Sequence, residues 1–262
     1  MAAGTNGKEI DTWEDEGGAE SDGTSRMSFL EHLEELRKRL VYSLYALLVG
    51  CGISFFFAQR LTTYLQKYLT AMGGKLIYTE FTGGFMFYFK VGALAGIILS
   101  APAMFWQLWM FVAPGLYQKE KKIVIPFVVA ASTLFGSGVA FAHFVAIPSM
   151  FKFFSSFEND YIRQMVNAND AFSFYVLMVL AFGIVFQMPI LVYFLARFGI
   201  VTAGWMWKNF RYAILVIFIV AAIATPTADP VNQTIFAAPM IVLYLISIAV
   251  AWMFQKKTKD AV

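Results

Sequence analysis

Charge is what this chain has least of: 14% of its 262 residues are Asp, Glu, Lys or Arg, against about 25% in an ordinary soluble domain. Cysteine occurs once and histidine twice. A single cysteine excludes an internal disulfide, and Cys51, set in an apolar run, reads as a small buried hydrophobe. His32, His143 and Cys51 cannot assemble an ordinary zinc site, and no HExxH occurs. Gly136-Ser137-Gly138 close to His143 does not make a hydrolase, because the GxSG spacing is not met. Ser137 and His143 are also six residues apart and fall on different faces of a helix. Such small residues read instead as a place where helices pack closely in a bilayer. No enzyme, cofactor or metal is expected, and no nucleic-acid partner.

Apolar residues supply what charge does not. They make up 59% of the chain, 18% being aromatic, and the mean hydropathy is +0.64. A soluble core of this length could not hide so many large side chains, because surface-to-volume scaling leaves too much outside. The chain therefore reads as a membrane protein. Residues 40–58 hold no charge, nor do 91–118, 123–148 and 171–196, and each run is long enough for a crossing of about 20 residues. Two further stretches, 212–224 and 234–254, are interrupted around Thr225-Pro226 and fit a hairpin of short spans. Short spans demand bilayer thinning or a shielded position. The expected fold is an all-α polytopic bundle of six transmembrane helices.

Residues 1–26 are polar, with seven acids against Lys8 and Arg26. Such a segment cannot bury enough apolar surface to offset chain entropy and reads as a disordered acidic tail. It lacks the basic start and short apolar run of a signal peptide. MSFLEHLEELRKRL, residues 27–40, opens with capping-box spacing at Ser28 and Glu31. Its apolar positions recur at helical spacing, which predicts an amphipathic helix lying at a membrane surface before the first span. A short basic tail, 255–262, closes the chain. Thirteen Lys and Arg residues fall in segments on the side of the termini, against five on the other with Lys90 near a span entrance. That bias places both termini in the cytoplasm. The far-side segments 59–90 and 149–170 are longer and contain apolar residues suited to short capping helices.

A solute transporter would be expected to carry ionisable groups at mid-membrane. The central spans contain only His143, with Pro102, Pro126, Pro189 and Pro239 and the amides Gln107 and Gln187. Each proline frees a carbonyl that a neighbour must satisfy, and the amides either tie helices together or face a wet cavity. At the cytoplasmic face, Glu34 to Lys38 and Glu35 to Arg39 are i,i+4 pairs in the favourable order. Glu120, within Lys119-Glu120-Lys121-Lys122, runs against the basic trend of its loop. Carboxylates from two segments of one face suit guanidinium groups in a partly desolvated setting.

FLEHLEELRKRL at 29–40 resembles the amino-terminal signature of TatC, the multispanning receptor of the twin-arginine protein translocase. The likeness continues through FWQLWMFVAPGLYQKEKK at 105–122, FGIVFQMPILVYFLARFGIV at 182–201, RYAILVIFIVAAIATPTADPVNQ at 211–233 and APMIVLY at 238–244. These motifs span 27–254, which the resemblance makes a TatC-like six-span domain in a bacterial inner membrane. It implies a curved bundle that binds Arg-Arg signal peptides of folded proteins. It also implies an oligomeric complex with single-span TatA- and TatB-type partners, driven by proton-motive force. The family's signal-binding positions correspond to Glu35, Arg37, Arg39, Phe111 and Glu120. Glu35 and Glu120 would receive the two guanidiniums, Phe111 would offer an apolar or cation–π surface, and the bases would sit at lipid headgroups. Gln187 stands where the family commonly has an intramembrane Glu. With Gln107 it is the expected polar contact for partner helices, although an amide cannot titrate. Further family acids are missing at Gly83 or Gly84 and at Leu245, while Phe85, Lys90 and Asp229 remain. A scaffold that has lost signal recognition is the competing interpretation these departures suggest.

Overall fold

The computed structural model describes residues 29–73, 75–112, 124–159, 165–225 and 229–254. The expected acidic tail, the Ser28 end of the capping box, Glu120 with its basic neighbours, Pro226 and the basic tail lie outside the described residues. Helix α1 runs Phe29–Gly73 without interruption. The surface helix expected over 27–40 is thus continuous with the first span, and α1 also takes up the start of the far-side segment. The cause is chemical: the first proline of the chain is Pro102, so nothing breaks the backbone where the side chains change from amphipathic to apolar. At about 1.5 Å per residue, 45 residues reach roughly twice a hydrocarbon core.

A parallel bridge of two short strands follows, β1 (Leu76–Ile77) with β2 (Val166–Asn167), in the register Leu76 to Val166 and Ile77 to Asn167. It joins the far-side connections. Helix α2 (Gly83–Val112) returns against α1 and carries Pro102 inside it. The two cross where a Cβ on Gly96 would meet the Cys51 sulfur at 2.6 Å and one on Gly50 would meet the Gly96 carbonyl at 2.9 Å. The Ser54 hydroxyl donates to the Gly92 carbonyl one turn away, at 2.8 Å.

The third span is composite. Helix α3 (Val124–Phe141) passes through a π-helical turn, Ala142–Ala146, into α4 (Ile147–Ser155). The fourth is broken too: α5 (Ala168–Val185) stops, and α6 (Met188–Arg197) restarts with Pro189 in its first turn. Pro189 has no N–H for the Val185 carbonyl and its ring would strike that carbonyl, so the break falls between the two. Asn167 starts α5 by accepting from the Asn169 N–H at 2.8 Å. A short α7 (Ala203–Lys208), started by the Thr202 side chain, leads to α8 (Phe210–Ala224) and α9 (Pro230–Phe254).

Among the described residues, five helical stretches, Glu31–Met72, Gly83–Phe111, Val124–Ser155, Ala168–Arg197 and Pro230–Phe254, are long and apolar enough to cross a membrane. The shorter apolar Phe210–Ile223 completes the expected hairpin. The main core joins Leu65 and Leu69 of α1, Phe87 of α2, Ile147 and Met150 of α4, Phe172 and Phe182 of α5, and Phe236 of α9. Outward positions of α1 such as Leu44, Leu48 and Phe56 remain exposed, as a lipid-facing surface requires.

A candidate guanidinium site where the first two helices meet

Positions 32, 35 and 39 lie at helical spacing on one face of α1, and α2 brings Gln107 and Phe111 to that face. The Glu35 carboxylate is half-buried, with 16% of its side chain exposed. Its Oε1 accepts from Arg39 Nη2 at 3.0 Å and from Arg39 Nε at 3.3 Å. Arg39 Nη1 approaches Gln107 Oε1 at 3.5 Å. One guanidinium thus spans the two helices, with both shorter contacts converging on a single oxygen of Glu35. As a half-buried pair at the helix surface this contributes about 0–1 kcal/mol. Its value lies in geometry, since it holds an acceptor in place.

Beside it, His32 stacks on Phe111 with ring centroids 4.5 Å apart and planes inclined by 24°. The planar surface anticipated at Phe111 is therefore already covered on one side by an imidazole. Of the two expected i,i+4 pairs, Glu35–Arg39 is closed, while Glu34 and Lys38 are both exposed. Arg37 is exposed as well. It stands two residues from Glu35, on a different face, and is not part of the cluster. His32 and the Arg39–Gln107 approach are additions that the structure makes to the expected site. The spacing of 32 to 35 and 39 was the available cue for the first, whereas a pair 68 residues apart had none.

Gln187 sits elsewhere, at the α5–α6 break, where its Nε2 donates to the Ala131 carbonyl of α3 at 3.1 Å. The amide ties two segments of this chain together. Gly83 is cramped, since a Cβ there would come within 2.8 Å of the Tyr78 ring and 3.2 Å of the Asn169 amide, while Gly84 has open space. Leu245 is 40% exposed. At the start of α9, Asp229 accepts from the Asn232 backbone N–H at 2.7 Å and side-chain amide at 2.9 Å, which caps that helix.

The chain matches the family model described as Sec-independent protein translocase protein (TatC) over residues 31–239. It is 41% identical over 239 residues to the Sec-independent protein translocase protein TatC of Koribacter versatilis, covering 89% of this chain and 88% of that protein. With the protein of the same name from Desulforapulum autotrophicum it shares 43% over 236 residues, 89% and 87% of the two chains. A crystal structure described as the twin arginine translocase receptor TatC superposes with a TM-score of 0.75 at 33% identity. That match covers 84% of this chain and 98% of the other.

Proposed function

The chain belongs to the TatC family of Sec-independent protein translocase proteins, and from that premise we propose that it is the signal-peptide receptor and core subunit of a twin-arginine translocase. It is a multi-pass membrane protein of protein transport. On this reading it lies in a bacterial inner membrane with both termini in the cytoplasm, where the thirteen Lys and Arg residues of that side accord with the positive-inside rule. Folded proteins bearing Arg-Arg signal peptides bind there, and TatA- and TatB-type partners assemble with the receptor for export driven by proton-motive force.

The observation that carries this reading is a half-buried carboxylate, Glu35, already holding a guanidinium beside an aromatic face. Glu35 would take one signal-peptide arginine and Glu120 the other, while Arg39 and Gln107 hold Glu35 in position. The test is photocrosslinking from position 120 to an Arg-Arg signal peptide and to its Lys-Lys counterpart. A crosslink that fades with Lys-Lys is expected, because a planar fork and a point charge are not equivalent donors. Equal crosslinks would mean a merely electrostatic surface. No crosslink to either would favour the scaffold that has lost signal recognition.

The tie between Gln187 and Ala131 bears on partner assembly. Gln187→Leu removes an interhelical hydrogen bond of about 0.6 kcal/mol and frees the α5–α6 break from α3. Co-purification of single-span partners is expected to fall by about half or more, with signal-peptide binding unchanged. Full retention of partners would show that this break does not shape their docking surface.

A further inference from the structure

His143 takes no part in the site above, yet both nitrogens of its ring are partnered within the spans. It is 8% exposed and sits in the π-helical turn between α3 and α4. Its Nε2 lies 2.9 Å from the Tyr64 hydroxyl of α1, and its Nδ1 lies 2.9 Å from the Tyr175 hydroxyl of α5. The Tyr68 hydroxyl donates to the His143 backbone carbonyl. The Tyr68 ring also stacks on the imidazole, with centroids 4.1 Å apart and planes inclined by 19°.

The chemistry of this set is specific. A neutral imidazole has one N–H and one bare nitrogen, whereas the protonated ring has two N–H donors. A phenol oxygen can either donate or accept. Both ring nitrogens here face phenol oxygens, so the cage satisfies the neutral ring and the cation without moving a heavy atom. The face of Tyr68 adds the electron-rich surface that a cation prefers.

Position along the fold makes the cage reachable. His143 stands 19 residues beyond the start of α3 at Val124, about 29 Å along the helix and close to one hydrocarbon thickness. In the orientation proposed above, with Val124 at the cytoplasmic edge, it reaches the far-side boundary of the membrane. Tyr64 is 53% exposed and lies beyond the uncharged run 40–58, between the exposed Arg60 and Lys67 of the same helix, which suits an opening of the cage to the water of that side. The charged side chains on the surrounding helices, Arg60 and Lys67 of α1, Lys152 of α4 and Asp170 of α5, are exposed. Lys90 of α2 is held by the Ser173 hydroxyl at 2.9 Å.

We propose that His143, caged by Tyr64, Tyr68 and Tyr175, is a reversible proton-binding site open to the far side of the membrane. The proton would be held at the joint between α3 and α4, where the same residue supplies the carbonyl that Tyr68 holds within the π turn. π-Helical turns inside α-helices often mark functional positions. The site stands independently of signal-peptide recognition.

The test uses the full chain in lipid nanodiscs with 15N-labelled histidine and His32→Asn, so that one imidazole remains. Between pH 8 and pH 5, a range spanning histidine's ordinary value of about 6.5, the two nitrogen resonances of the neutral ring should merge toward those of the doubly protonated ring. The protein should stay folded by thermal unfolding and gel filtration. Tyr64→Phe and Tyr175→Phe each remove one acceptor from the cation, and each should lower the charged-to-neutral ratio at pH 6 by about tenfold. A ring that stays neutral down to pH 5 would overturn the proposal. So would protonation that occurs only with unfolding, or a ratio unchanged in both tyrosine variants.

Discussion

Glu35→Ala should weaken binding of an Arg-Arg signal peptide by about tenfold to a hundredfold, with insertion and folding intact. A hydrogen bond to a charged group contributes about 1.5–3 kcal/mol, which corresponds to that range. Glu35 lies on a helix surface, half-buried and without a packing role, so removing it leaves α1 in place. What is lost is the acceptor. Arg39 converges on Oε1, which leaves Oε2 as the oxygen best placed for a second guanidinium. Glu35→Gln separates charge from shape: it keeps a carbonyl acceptor and should lose part of the affinity only. Glu120→Ala should produce a comparable loss through the other arginine. Titration calorimetry of the purified protein with the peptide measures all three, and unchanged affinity in both alanine variants would remove the assigned site.

Arg39 would then need a different partner, and the structure provides one. With Glu35 gone, its guanidinium keeps Gln107 as an acceptor across the α1–α2 contact. The charge of Arg39 is therefore not stranded, and the loss in Glu35→Ala reads as recognition rather than as collapse of the helix pair. The same geometry would let a surface rich in bases receive a basic peptide. One base is neutralised within the surface, while Arg37 and Lys38 are exposed.

The parts of this fold legible in the sequence are those encoded locally. Apolar runs without charge set the number of crossings, and the Glu35–Arg39 pair follows from i,i+4 spacing alone. The continuity of α1 was hidden because side-chain character changes at residue 40 while backbone propensity does not. Pro189 carries the signal for the α5–α6 break, yet the uncharged run across it suggested a single span. Contacts across helices were out of reach. Gln107 meets Arg39, and His143 meets Tyr64, Tyr68 and Tyr175, only once α1, α2, α3 and α5 are packed. An apolar stretch around a histidine gives no periodic cue to which tyrosines will surround it.

The small residues at 136–138 illustrate how far such a cue extends. The sequence marks both glycines as places for close helix packing, and they part company in the structure. A Cβ at Gly138 would lie 2.5 Å from the Phe182 carbonyl oxygen of α5 and 3.0 Å from the Phe186 Cβ. A Cβ at Gly136 would meet nothing within 4 Å. Across the same contact, a Cβ on Gly183 would strike the Phe135 ring at 2.6 Å, so α3 and α5 touch backbone to backbone at Gly138 and backbone to side chain at Gly183. Gly138→Leu must push α3 off α5, and this strains the Gln187–Ala131 bond and the Phe141–Phe182 ring contact, whose centroids are 5.1 Å apart. Overpacking of this kind costs about 1–3 kcal/mol or more. Gly136→Leu enters open space and replaces a poor helix former by a good one, so it should be neutral or slightly stabilising. Cys51, packed at the Gly96 crossing, offers the readout, because its thiol becomes reactive toward a fluorogenic maleimide as the helices separate on heating. The transition for Gly138→Leu should fall by several degrees below that of the parent and of Gly136→Leu. Coincident transitions in the two variants would mean that α3 and α5 do not approach as closely as their glycines imply.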